Sequence, residues 1–451
     1  MGSIISADIN SPEPESFECA GAMISETALE KLDRQLEESK RVGLREFSSS
    51  DDFGLGRYTK TLQRFTANYT IIDSARKRLE SQSDKLETLE GALDDLMDFL
   101  QKLIQLPFYP WTFFVEDKLA DDCIGVAEYP DLTERNGNVW AAAAALGDRL
   151  STHFIFFVDY RPKPCENKSG AYATTCHTKL YTIDDDGTLN HYVRPLAGVI
   201  NICTETLARG KIMPVLVHEA FHALGFISRF VTNSHDDSAH VLVRKWHRDG
   251  SDGVEFVPTL PYEGGRQAFK PAFFFTGDKT KKAVREHFGC NDLPGAEFEN
   301  DGYVRTSGAK PFYFDEQEAL EKWSSGLPQV RRGSKETLAF AHLEYTVFQT
   351  ELMSPRTPLN GQTYLSEITM AYLEETMRYR FDRDFLMSER FSEYGILPPH
   401  KFWYGKGFGC AFANESCQQL IERRPFHSDA PSFPFCTLEN IEARNLTICS
   451  K

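Results

Sequence analysis

No stretch of this sequence approaches the 18 or more consecutive apolar residues that a membrane-crossing helix needs; the richest runs, Ala141 to Leu146 and His153 to Val158, are far too short. No transmembrane segment is expected. Positive charge is also in deficit: 50 Lys and Arg stand against 66 Asp and Glu, a formal charge of −16, so the field of the molecule repels phosphate backbones and anionic headgroups. Nucleic acid is therefore not an expected partner. The opening residues lack the basic and apolar segments of a secretory leader, and the closing ones are polar where a lipid-anchor signal is hydrophobic. Neither a leader nor an anchor is expected from them. Internal repeats, low-complexity tracts and C-x-x-C pairs are missing too, which excludes a solenoid and the commonest cysteine-built metal sites.

What is present fits a folded chain. Its 451 residues suffice for two to four domains and a large core, and 41% hydrophobic with 26% charged residues is an ordinary globular balance. The 10 cysteines form an even set, and N-x-S/T sequons occur at Asn68, Asn167, Asn414 and Asn445. Both features favour an oxidising compartment, and so a secreted or cell-surface location, with a cytoplasmic one as the alternative.

Patterning divides the chain. Residues 1–20 are polar and Pro-containing and read as a flexible arm. Residues 21–107 read as a helical N-terminal segment, pro-like or used for interaction. Within it Leu79, Leu86, Leu93 and Leu100 stand seven apart with Leu89, Leu96 and Leu103 between them, predicting one long amphipathic helix over about 74–106. Gln82 spoils the first companion position, which favours packing on the chain itself over a dimeric coiled coil but leaves self-association through this helix open. Residues 108–228 alternate strand-like runs, His153 to Val158 and Val193 to Ile202, with a helix over 141–150, a mixed α/β pattern. Residues 229–390 form a loop-rich central part with a regular helix over Leu365 to Met377. Residues 391–451 hold four cysteines among Gly, Pro and Phe and read as stapled. The expected fold class is α+β.

The chemistry lies in Pro214-Val-Leu-Val-His218-Glu219-Ala-Phe-His222-Ala-Leu-Gly225. Two histidines four apart share one helical face, so both imidazoles can reach one Zn²⁺, and Pro214 and Gly225 suit the start and exit of that helix. Glu219 has the position of a general base. A helix this apolar is buried, and burying two imidazoles and a carboxylate is costly unless a cation satisfies them together. A third ligand is required to leave one coordination position open. Six residues after His222 stands Ser228, so a compact ligand spacing fails. His235, His240, His247, His287 and His342 remain as candidates on spacing alone.

The chain resembles the leishmanolysin family of zinc metallopeptidases, metzincins in which an insertion separates the H-E-x-x-H-x-x-G helix from a distant third histidine. The resemblance rests on Arg194 to Cys203, His218 to Phe226, His287-Phe-Gly-Cys290 and Glu351-Leu-Met353-Ser-Pro355, in that order, and more loosely on Phe402 to Cys410. It implies a metzincin-type catalytic domain with a mixed sheet and an active-site helix, in which His218, His222 and His287 hold one catalytic Zn²⁺. Glu219 would activate water, and Met353 would lie beneath the site as a packing floor. The implied activity is endopeptidase cleavage of protein or peptide substrates. His342 reads as a group behind the ligands or a satisfied surface or core histidine. The rival readings are an inactive homologue acting in binding or adhesion, and an adaptor whose closed zinc site only stabilises the fold.

Overall fold

The computed structural model describes residues 62–107, 152–160, 170–181, 192–203, 206–207, 212–226, 273–298, 342–357 and 362–414, with the short strands 17–18, 241–242, 256–259 and 268–271. The expected helix over 141–150, half of the loop-rich part and the cysteines beyond Cys410 lie outside the described residues.

A four-stranded mixed sheet forms the scaffold. Its strands are β1 (Ala67–Ile71), β2 (Phe154–Tyr160), β3 (Ala171–Tyr181) and β4 (Tyr192–Ile202), in the order β1-β2-β4-β3. β1 and β4 run parallel to β2, with Thr70 opposite Phe157 and Phe157 opposite Val199, whereas β3 returns antiparallel along β4. Every residue of β2 is buried. A strand flanked on both edges and covered on both faces needs a continuous apolar run rather than alternation, which is what Phe-Ile-Phe-Phe-Val supplies. β3 carries a bulge between Thr175 and Thr178, and the Thr175 hydroxyl donates to the Ala223 carbonyl at 2.7 Å, tying this edge strand to the end of the histidine helix.

The leucine repeat forms two helices rather than one. Asp73–Glu80 ends at Ser81, Gln82 leaves the helical region at φ −138° and ψ 61°, and α1 runs from Ser83–Leu103. Leu89, Leu93, Leu96, Leu100 and Leu103 are fully buried in the common core, and α1 packs on β1 and on the helix that carries His218. The apolar stripe thus faces the chain's own interior. Residues 62–107 contribute a strand of the main sheet as well as this helix. Two further strands, Leu62–Arg64 and Ile104–Pro107, pair antiparallel, and Arg380–Phe381 joins them, stitching the N-terminal part to the C-terminal one. Phe17–Glu18, from the expected flexible arm, pairs antiparallel with Arg356–Thr357.

Three more helices frame the site. α2 is Met213–Ala223, α3 is Asp278–Phe288 and α4 is Glu367–Thr376. The sequence places α4 correctly within two residues, and Ser366 caps it by accepting from the Thr369 amide at 3.2 Å. α3 ends in Gly289 at φ 67°, a left-handed position that favours glycine.

Candidate metal centre

α2 begins with a proline in its first turn, where the missing N–H costs nothing, and Val215 to Ala223 are all buried. Its exit depends on Gly225. With φ at 111° this residue reverses the chain so that the Phe226 amide donates to the Phe221 carbonyl at 2.9 Å, closing the helix end. A Cβ at Gly225 would fall 2.7 Å from the sulfur of Met377. The turn directs the Phe226 carbonyl back at His222, whose Nδ1 donates to it at 2.9 Å.

His218 lies one turn before His222, and its Nδ1 donates to the Leu352 carbonyl at 2.5 Å. A carbonyl only accepts, so both rings carry their proton on Nδ1 and present a bare Nε2. Those two Nε2 atoms are 3.1 Å apart, and the Nε2 of His342 lies 3.1 Å from that of His222. The three ligand atoms of His218, His222 and His342 all fall within 4.8 Å of one another, and all three residues are buried. Burial lowers the pKa of His218 and of His342 to about 3, the nearby His342 ring adding at His218. His222 is held well below its ordinary value by burial first and then by both neighbouring rings. The group is neutral at physiological pH.

This donor set fits a cation. The His218 and His222 nitrogens face each other lone pair to lone pair, an arrangement that no hydrogen bond between them can rescue. Two nitrogens bound tetrahedrally at 2.0 to 2.1 Å would stand roughly 3.3 Å apart, close to the spacing observed. Neutral imidazole is also the ligand form that zinc prefers.

Glu219 follows His218 in the same helix and is buried. Met353 is fully buried in the turn Glu351 to Pro355, and this turn touches both ends of the histidine group. The carbonyl of Leu352 holds His218, while the carbonyl of Met353 accepts from the Leu343 amide at 2.9 Å, fixing the segment that carries His342. Burial pushes the Glu351 carboxyl up, opposed by the hydrogen bonds it accepts from Thr369, Ser366 and Met353.

His287 does not join this group. It sits in the last turn of α3, its Nε2 donating to the Tyr404 carbonyl at 2.7 Å and its ring stacked on Phe402 with centroids 4.7 Å apart. The Gly407 and Gly409 amides donate to the carbonyls of His287 and Phe288, and Cys290 is joined to Cys410 by a disulfide. The end of α3 is thus tied to residues 402–410, and these contacts engage the ring that sequence resemblance assigns to the metal. Burial lowers the pKa of His287 to about 4, the Tyr404 carbonyl opposing it. His342, which the sequence suggests as a group behind the ligands or a satisfied histidine, is the third imidazole that converges with His218 and His222. Its one legible signal is position, in Ala-His-Leu-Glu just ahead of the turn that holds Met353.

Comparison with known proteins bears on the same residues. A family profile described as leishmanolysin matches residues 143–312, a stretch containing the whole of α2 and α3. The chain is 25% identical over 307 residues to a leishmanolysin-like peptidase of Drosophila melanogaster and 24% identical over 311 residues to one of Caenorhabditis elegans, each alignment covering 63% of this chain. It is 25% identical over 280 residues to leishmanolysin of Leishmania chagasi, covering 61%. Both comparisons place the likeness of this chain with the leishmanolysins. The alignments take in 36%, 38% and 33% of those relatives, so the chain spans about a third of the length of the leishmanolysins it matches. The leishmanolysin profile match ends ahead of His342, so the choice of third ligand rests on geometry.

Proposed function

We propose that this chain is a zinc-dependent endopeptidase of metzincin type, with His218, His222 and His342 as ligands of one catalytic ion and Glu219 as the general base. The observation that carries it is the convergence of three neutral, buried imidazole nitrogens beside a buried glutamate on the same helix. Zinc held there supplies a Lewis acid that polarises a peptide carbonyl and makes water acidic enough to attack it near neutral pH. The rest falls to the chain. The Leu352 and Phe226 carbonyls hold His218 and His222 in the tautomer that leaves Nε2 free for the ion. Glu219 removes the proton from the attacking water and returns it to the departing amide nitrogen. Met353 packs beneath the histidines, where a polarisable side chain fills irregular space without competing for the ion.

Protein or peptide substrates follow from this reading. Among the described residues no helix is long and apolar enough to cross a membrane. The Cys290–Cys410 bridge and a disulfide-bonded Cys203 support an oxidising compartment, secreted or at a cell surface. The test is direct. Purified protein should contain zinc and cleave an unfolded protein substrate; Glu219→Gln should retain the metal and lose activity by at least about two orders of magnitude, the usual scale of general-base catalysis. Cleavage that survives this change, or survives zinc removal by a chelator, would overturn the assignment.

A further inference from the structure

Glu351 is buried, 1% exposed, and is bonded on every side. Its Oε2 accepts from the Met353 amide at 2.5 Å. Its Oε1 accepts from the Ser366 amide at 3.2 Å, the Ser366 hydroxyl at 2.7 Å and the Thr369 hydroxyl at 2.5 Å. One carboxylate therefore joins the first turn of α4 to the backbone between Leu352 and Met353. The carbonyls of those same two residues hold His218 and the His342 segment. A chain of direct contacts runs from α4 through Glu351 to the His218 imidazole and to the backbone next to His342, and a core packed only for stability would fill this position with an apolar side chain at less cost.

We propose that Glu351 is a positioning residue for the metal centre: by fixing the Leu352 and Met353 backbone it sets the orientation of His218 and the placement of His342. This rests on the reading of those histidines as metal ligands. It acts through the backbone, since the carboxylate meets neither imidazole in the contacts described. Gln is the informative replacement because it matches Glu in shape but has one acceptor atom. Whichever way its amide turns, its NH₂ group opposes one backbone donor, Met353 N–H or Ser366 N–H. The turn must shift.

The experiment uses the full chain, stripped of metal and titrated with Zn²⁺ against a chromophoric chelator, then loaded with Co²⁺ for its visible absorption. Wild-type protein should bind one equivalent. Glu351→Gln should bind Zn²⁺ roughly 10- to 100-fold more weakly, the scale seen when groups orienting ligands are lost, and its Co²⁺ bands should move. A folded Glu351→Gln protein with wild-type zinc affinity and unmoved bands, whatever its melting temperature, overturns the proposal. Should that variant fail to fold, Thr369→Val decides: it removes one donor from the carboxylate, and several-fold weaker zinc binding supports the proposal whereas unchanged binding overturns it. Wild-type protein that takes up no zinc would instead overturn the proposed function, and this inference with it.

Discussion

The two histidines that compete for the third ligand place differ in what else engages them. His287 spends its Nε2 on a carbonyl and its face on Phe402, whereas the Nε2 of His342 converges with two others. His342→Ala should therefore abolish stoichiometric zinc, and His287→Ala should leave zinc content intact while loosening residues 402–410; metal analysis of the two purified variants checks both. The reverse pattern would restore His287 as ligand. Gly225 makes a second demand at single-residue scale. Gly225→Ala puts a side chain at φ 111° and 2.7 Å from the Met377 sulfur, so about 1 to 3 kcal/mol of backbone strain adds to an overpacking cost of similar size. Urea unfolding should show that loss. The legible part of the site was the part written at local spacing: His218, Glu219, His222 and Gly225 lie within one helix and its exit. The third histidine comes from a segment 120 residues beyond His222, and long-range convergence of that kind leaves no period to read.

At the scale of elements, helical spacing identified the leucine-rich segment but not its partner. The heptad stripe suits a second helix and a mixed sheet equally well; here the sheet and α2 took it, and the flaw at Gln82 became a break between helices. β2 and β4 were readable because fully buried strands need apolar runs, whereas β1 was missed: Ala67–Ile71 is short, only partly buried along most of its length, and has no run to find. The strand approach to β2 contains a testable fastener. The Thr66 amide donates to Nδ1 of His153 at 3.0 Å, so that nitrogen must be bare, while Nε2 meets the Gln63 amide at 3.1 Å. Burial, helped by the charge of Arg194, lowers the His153 pKa to about 4, below the roughly 6.5 of an unfolded histidine. A depressed pKa means that the unfolded chain binds more protons between those values. The contribution is complete above pH 6.5 and is lost as pH falls toward 4, with a slope of up to about 1 kcal/mol per pH unit after allowance for solvent at the ring's edge. Urea midpoints of zinc-loaded protein from pH 7 to 4 should fall, and His153→Gln should flatten part of that slope; identical slopes would assign it to other groups.

Across the described residues, segments 62–107 and 402–410 are held to the scaffold by means that differ in kind. Residues 62–107 are built into the sheet itself, through β1 and α1, and cannot leave without opening the core. Residues 402–410 are instead fastened to the end of α3, by the His287 stack, two backbone hydrogen bonds and the Cys290–Cys410 bridge. That bridge closes a loop with a sequence separation of 120, for which loss of unfolded-state entropy gives about 5 kcal/mol at most. Cys290→Ser with Cys410→Ser should therefore lower the unfolding midpoint sharply and expose the 402–414 region to proteolytic nicking. Because the three converging imidazoles are supplied by α2 and by the segment ahead of Met353, the folded double variant should keep its zinc at temperatures below its new midpoint. Calorimetry, limited proteolysis and metal analysis on one preparation separate the two functions. Loss of zinc together with the bridge, in protein still folded, would mean that the α3 clamp and the metal centre are a single unit and that His287 acts on the ion after all.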